Sequence, residues 1–160
     1  MMVRPARPAD AHRIARVHID AWKSTYRGIV PDEVLDGRSY EARERSVFQV
    51  LANPESDSFY HVAEADSGEI AGFAWAGPER SGGTEFASEL YPVYILKDHQ
   101  RIGIGRRLVS FVARDPNRRG LRSMLVWVLS RNPSRPFYER LGGALRGTQQ
   151  IEIGGPRSTR

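Results

Sequence analysis

With 160 residues, 40% hydrophobic and 27% charged, the chain has the size and composition of one folded domain rather than a disordered segment. It has no cysteine, no leader-like apolar N-terminus and no apolar run near the ~18 residues of a membrane span. This excludes disulfides, thiolate metal sites and a cysteine nucleophile, and predicts a cytoplasmic protein without a membrane partner. The net charge of +5 is unevenly placed: residues 1–96 hold 10 Lys+Arg and 15 Asp+Glu (−5), residues 97–160 hold 14 and 4 (+10). A basic half of this kind serves a polyanionic small molecule, a nucleic-acid surface or plain solubility, and composition does not choose among them.

Residues 2–6 read as a short extended opening, and Pro8-Ala9-Asp10 as the start of a helix. Ile14, Val17, His18, Ala21 and Trp22 form its apolar stripe, and Gly28 breaks it. Pro31 opens a short helix to Leu35, and residues 40–51 form another before Asn53-Pro54. The period then changes. Residues 59–65 and 69–76 read as antiparallel strands around an Asp66-Ser67-Gly68 turn. After Gly82-Gly83, residues 87–96 form a longer strand, whose Pro92 requires an edge, a bulge or an opening of the ladder. A helix over 105–113 carries Ile104, Leu108, Phe111 and Val112 on one face. Residues 123–129 read as a doubly buried strand, 135–141 as a short helix and 148–153 as a last strand. The order gives a mixed α/β sheet in a single domain over residues 1–160. The histidines (His12, His18, His61 and His99) lie far apart without metal-ligand spacing, so no metal is expected.

The chemistry-bearing segment is Gln100-Arg101-Ile102-Gly103-Ile104-Gly105-Arg106. A strand ends, a loop with two glycines follows, and a helix begins, so that free N–H groups can meet phosphate. A nucleotide P-loop is absent, and a dinucleotide fingerprint fails because position 108 is Leu.

The same six residues from Gln100 to Gly105 resemble motif A of the GNAT superfamily of N-acetyltransferases. So does Asn132-Pro133-Ser134-Arg135-Pro136-Phe137-Tyr138-Glu139-Arg140-Leu141-Gly142, which is similar to that superfamily's Asn…Phe-Tyr-Glu-x-Leu-Gly segment, and Trp22 to Pro31 is similar to one of its subgroups. The resemblance spans residues 3–153. It implies a mostly antiparallel, mixed central sheet of about six strands flanked by helices. One strand pair would splay to admit acetyl-CoA, and the usual seventh strand would be short or absent, since only five residues follow Gly154-Gly155.

The resemblance also implies roles. The backbone of Val93, Tyr94 and Ile95 would hold the pantetheine amides. The N–H groups of Arg101, Ile102, Gly103, Ile104, Gly105 and Arg106 would cradle the pyrophosphate, with Arg101 and Arg106 adding charge. Tyr138 would be the general acid for the leaving thiolate, or a core aromatic beside Phe137. Asn132 would bind the cofactor arm or cap a helix. Glu89, eleven residues before Gln100, would be the base, or a solvated residue at the strand start. Glu85 and Tyr91 are weaker candidates for it, and Trp127 stands where another branch keeps its base. Trp22 and Tyr26 would wall the acceptor pocket, or Trp22 would pack in the core and leave that role to the more open Tyr26. Pro136, where relatives often carry Arg, would stiffen or shift a helix start.

The expected function is acetyl transfer from acetyl-CoA to a primary amine of a small molecule or protein. The acidic balance of residues 1–96 favours a basic acceptor, and a homodimer could cover an exposed sheet edge. A non-catalytic acyl-CoA-sensing module is the alternative. A nucleic-acid partner, raised by a pI near 10.0, lacks any recognisable motif and is not expected.

Overall fold

The computed structural model describes residues 1–82, 85–115, 123–152 and 157–159. Strand β1 (Met2–Pro5) is followed by a 3-10 turn (Pro8–Asp10) and three helices, α1 (Ala11–Tyr26), α2 (Asp32–Asp36) and α3 (Tyr40–Ala52). Then come β2 (Phe59–Glu64), β3 (Ile70–Pro78) and β4 (Ser88–Ile95), helix α4 (Ile104–Arg114), helix α5 (Arg135–Arg140), and strands β5 (Gln150–Glu152) and β6 (Arg157–Thr159). The sequence-predicted helices and the strands up to β4 appear within one or two residues.

Strands β1 to β4 form one antiparallel sheet in the order β1-β2-β3-β4. The β2–β3 hairpin closes as its turn residues require: Gly68 has φ +84 and donates its N–H to Ala65 O at 2.9 Å. Helices pack on both faces, giving three layers. Against one face lie α1 to α3, burying Ile14, Val17, Trp22, Leu35 and Val47 on Tyr60, Val62, Phe73 and Tyr94. Against the other lies α4, with Ile104, Leu108 and Val112 on Ala63, Ala71, Ala74 and Ala76. All five residues of the expected α1 stripe are buried. On α4 the stripe holds except at Phe111, which is 40% exposed at the rim.

The sheet departs from the expectation of about six strands: it has four among the described residues. Residues 123–129 do not form the fully paired strand that their apolar run predicts. They touch the sheet through a single parallel bridge, Glu89 to Leu125, with Leu90 N–H donating to Leu125 O (2.7 Å) and Leu125 N–H to Ser88 O (3.0 Å). The segment is half-buried rather than buried on both faces: Ser123 is exposed, residues 124–128 are partly covered and Leu129 alone is buried. The last expected strand is shorter than 148–153, and β5 pairs with the three-residue β6 as a separate hairpin. Gly83, Ile153 and the Gly154-Gly155 turn lie outside the described residues.

Candidate active site

The site is built around β4. Opposite β3 the register shifts, so that Phe73 faces Tyr94 and Trp75 faces Tyr91. One extra residue on β4, at Pro92-Val93, is therefore bulged opposite Ala74. The bulge puts Tyr91 and Tyr94 on the same face, where Tyr91 packs on Trp75 (4.2 Å between rings) and Tyr94 on Phe73 (5.6 Å). Val93 and Ile95 turn to the α4 face. On its other edge β4 makes no further backbone bond to the 123–129 segment after Leu90.

The N–H released by this opening meets a side chain instead. Val93 N–H donates to Tyr138 Oη at 3.2 Å. Tyr138 reaches it from α5, where Pro136 sits comfortably in the first turn and Phe137 N–H donates to Ser134 O at 3.0 Å. The proline neither delays nor displaces that helix. Burial pushes the Tyr138 phenol up to about 12, with the Val93 N–H pulling the other way. It therefore carries its proton throughout the physiological range.

Beyond β4, Gln100 donates its side-chain amide to Ile95 O (2.9 Å), tying the loop to the strand end. Arg101 (φ 64) and Gly103 (φ 85) adopt left-handed backbone conformations and bend the chain into α4. Among the described residues, none of the backbone N–H groups from Arg101 to Arg106 has an acceptor, and Arg101 and Arg106 are exposed. The two glycines have different reasons. Gly103 supplies a backbone angle, with open space around it, whereas a Cβ on Gly105 would lie 3.0 Å from the Phe137 ring and 3.2 Å from Ile95 Cδ1. Gly105 lets α4 approach Phe137 of α5 closely.

Asn132 is buried and engaged at both ends. Its Oδ1 accepts from Ser134 N–H (2.8 Å) and its Nδ2 donates to Tyr26 Oη (2.8 Å). It forms the turn before α5 and clamps α1 to it, keeping one N–H and one lone pair for a ligand. Trp22 and Tyr26 pack at 5.5 Å, and Tyr26, expected to be the more open, is the more buried at 4% exposure against 8%. Burial raises the Tyr26 phenol above its ordinary value, and the Asn132 hydrogen bond offsets part of this.

Glu89 is not a solvated strand-start residue. It is 1% exposed and held by Arg80, whose Nη2 donates to Oε1 (2.7 Å) and whose backbone N–H (3.1 Å) and Nε (3.3 Å) donate to Oε2. Arg80 in turn lies over the Tyr91 ring at 3.8 Å. No local pattern marks Arg80 in the sequence, because the β3–β4 connection brings it to Glu89. Of the other candidates, Glu85 is exposed, and Tyr91 donates its hydroxyl to Pro78 O (2.7 Å). Among the described residues no group of three or more His, Cys, Asp or Glu is placed to hold a metal, and no helix is long and apolar enough to cross a membrane.

An opened strand whose amide meets only a side-chain hydroxyl, a helix start whose N–H groups from Arg101 to Arg106 lack acceptors among the described residues, and a buried neutral phenol lie together here. The acetyltransferase (GNAT) family model matches residues 19–143, and the chain belongs to that family. It is 36% identical over 155 residues to the uncharacterized N-acetyltransferase YuaI of Bacillus subtilis (strain 168), covering 97% of this chain and 87% of that one. In fold it is similar to the PaiA N-acetyltransferase of Thermoplasma acidophilum solved in complex with coenzyme A (TM-score 0.75, 20% identity, 99% of this chain and 95% of that one). It is also similar to the ribosomal-protein-alanine N-acetyltransferase of Brucella melitensis (TM-score 0.73, 23% identity, 99% and 96%). The protein is an acetyl-CoA-dependent N-acetyltransferase, with acetyl-CoA as cosubstrate.

Proposed function

We propose that the enzyme transfers acetyl to the primary amine of a small molecule or protein by direct attack, with Tyr138 as general acid and Glu89 as proton acceptor. The observation that carries this reading is the Val93 N–H, freed by the opening of β4 and aimed at the Tyr138 hydroxyl.

Acetyl-CoA supplies an activated thioester carbonyl and a thiolate leaving group. The backbone of Val93, Tyr94 and Ile95 holds the pantetheine arm as an added strand, and the N–H groups of Arg101 to Arg106 bind the pyrophosphate with the helix dipole behind them. Tyr138 Oη gives its proton to the departing sulfur and is suited to this because burial keeps it protonated. Asn132 fixes Tyr26 and the start of α5, and so the height of Tyr138 above β4. Trp22 and Tyr26 wall the acceptor side.

Glu89 takes the amine proton through a water on a lone pair that Arg80 leaves free, since both carboxylate oxygens are already bonded. Arg80 holds the carboxylate oriented.

The test has two stages. Thermal unfolding with acetyl-CoA, CoA, ATP and NAD should show stabilisation by the first two alone, about 2.7 kcal/mol at a hundredfold excess over Kd. Thiol release with an amine panel then reads turnover, and because the chain has no cysteine every thiol counted is CoA. Glu89→Gln should lower kcat by roughly 10²–10⁴ while the acetyl-CoA shift persists. A Glu89→Gln enzyme with unchanged kcat would remove the glutamate from the mechanism.

A further inference from the structure

Arg80 reaches Glu89 from the connection between β3 and β4, and a second carboxylate builds that connection. The backbone N–H groups of three successive residues, Arg80, Ser81 and Gly82, all donate to carboxylate oxygens. The first goes to Glu89 Oε2 (3.1 Å). The other two go to Glu79, at Oε1 (2.7 Å) and Oε2 (2.9 Å), and the Ser81 hydroxyl also donates to Oε1. Glu79 thus folds back on the N–H groups two and three residues ahead of it, as a shorter polar side chain does in an Asx turn. Gly82 completes the turn at φ +68, in the left-handed region that glycine enters without strain.

The turn stands on a firm base. Glu79 N–H donates to Ala87 O (3.2 Å), just beyond the last paired residues of the two strands, Pro78 and Ser88. Tyr91 donates its hydroxyl to Pro78 O (2.7 Å) and sets its ring on Trp75, which stacks on Tyr60 at 5.1 Å. The Arg80 guanidinium lies over this platform, 3.8 Å from the Tyr91 centroid and 5.6 Å from that of Trp75. Its side chain is nonetheless 51% exposed, whereas that of Glu89 is 1% exposed. A half-exposed arginine has many rotamers open to it, so the direction in which it leaves the main chain decides whether it finds Glu89. The turn beneath it sets that direction. Glu79 commits its carboxylate to the main chain of the turn, and the guanidinium of the adjacent Arg80 goes to Glu89 at 2.7 Å.

We infer that Glu79 is a positioning residue for the proton acceptor: its carboxylate folds the 79–82 turn, the turn aims Arg80, and Arg80 orients Glu89. The inference rests on the assignment of Glu89 as proton acceptor above and deepens it. It makes the β3–β4 turn part of the machinery of acetyl transfer, although Glu79 touches neither substrate nor cosubstrate. Because the Arg80 N–H and the Ser81 and Gly82 N–H groups belong to one turn, loosening the Glu79 end releases both the backbone and the side-chain bonds that hold Glu89.

The experiment compares Glu79→Ala with the conservative Glu79→Asp, each alone and combined with Glu89→Gln, using a primary amine from the panel above that supports wild-type turnover. Every variant should keep the CoA-induced rise in unfolding temperature, because the turn lies away from the helix start that meets phosphate. Glu79→Ala should lower kcat by about 10- to 100-fold with the acetyl-CoA KM little changed, the scale of a displaced catalytic group. Glu79→Asp, which can still accept from the N–H groups two and three residues on, should stay within about 3-fold of wild type. In the Glu89→Gln background Glu79→Ala should change kcat by less than about 3-fold, since residues that act as one unit are not additive. Amide exchange gives a readout without turnover: the Arg80, Ser81 and Gly82 N–H groups should lose protection together in Glu79→Ala and keep it in Glu79→Asp. Wild-type kcat in Glu79→Ala, an equal loss in the Glu89→Gln background, a lost CoA shift, or Arg80 protection that survives Glu79→Ala would each overturn the inference. Unchanged kcat in Glu89→Gln alone would instead strike at the proton-acceptor reading on which it rests.

Discussion

Tyr138→Phe removes one oxygen and nothing else. The ring keeps its edge contact with Phe137 (4.9 Å) and its place in the α4-side core. Val93 N–H loses its acceptor (3.2 Å) in a half-buried position, and a buried donor left unpaired costs about 1–3 kcal/mol. Urea unfolding of the free enzyme should show that loss. Saturating acetyl-CoA should recover much of it, because the cosubstrate's own acceptors reach the same N–H, so the ligand-induced stabilisation is larger in the variant than in wild type. Turnover should behave oppositely: kcat falls by roughly 10²–10⁴, the range for a lost general acid, with the acetyl-CoA KM little changed. The wild-type profile should show no loss of rate from Tyr138 up to about pH 10, since an acid raised to about 12 is still protonated there. A variant whose kcat stays within about 3-fold of wild type, less than 1 kcal/mol in barrier, would refute the acid role. A penalty as large with acetyl-CoA as without it would refute the placement of the arm at Val93.

The Asp10 cluster offers a second test. Burial would raise its pKa, but Arg4 (2.8 and 3.0 Å), the Arg7 N–H (2.8 Å) and Arg13 hold it below the ordinary value. Its contribution is complete above the unfolded carboxylate pKa of about 4 and lost as pH falls through the lower folded value. Asp10→Asn should cost about 3–5 kcal/mol at neutral pH and flatten the acid limb of a stability–pH curve measured by denaturant unfolding. The motif glycines should separate in a third test. Gly103→Ala should lose about 1–2 kcal/mol through its positive φ alone, without steric conflict. Gly105→Ala should fail to show the ~1 kcal/mol gain normal for a helical glycine, and should lower kcat by displacing Phe137 and with it Tyr138; adding Phe137→Leu should restore the gain.

What the sequence could disclose divides by range. Helix α1 was legible because its stripe is periodic, and β2–β3 because a positive-φ turn needs Gly68. The Gln100–Gly105 loop was legible because its chemistry is contiguous. Three things were not. Residues 123–129 are apolar enough for a strand, but pairing depends on a neighbour that departs after Leu90. Glu89 was left between a base and a solvated strand-start acid because its partner, Arg80, reaches it only across a strand connection. Tyr26 looked open because its cover, Asn132, lies 106 residues away in sequence. Periodicity and contiguous motifs speak for local structure, while the charge state and accessibility of site residues are set by distant partners.

Pro92 joins these two ranges, and a substitution there tests how the opening is encoded. Along the bridge to 123–129, Leu125 donates to Ser88 O and Leu90 donates to Leu125 O, so the even residues of β4 face that segment. Continuing the series would also need a donor at position 92, and proline has none. The ladder ends after Leu90, just ahead of that missing N–H, and the adjacent bulge turns Val93 toward Tyr138. Pro92→Ala supplies the absent donor. If it closes one more rung in the free enzyme, a net hydrogen bond of about 0.5–1.5 kcal/mol favours the shut form. Part of that is offset by the ~0.4–1 kcal/mol lost when proline no longer restricts the unfolded chain. Acetyl-CoA must then break the rung to enter, so its Kd should rise by about 2- to 10-fold. Amide hydrogen exchange of the Pro92→Ala variant should show protection of the N–H introduced by the substitution, and that protection should disappear when acetyl-CoA is added. An unprotected N–H at the substituted position, together with wild-type affinity, would mean that side-chain packing of the 123–129 segment, and not the missing proline donor, holds the strands apart.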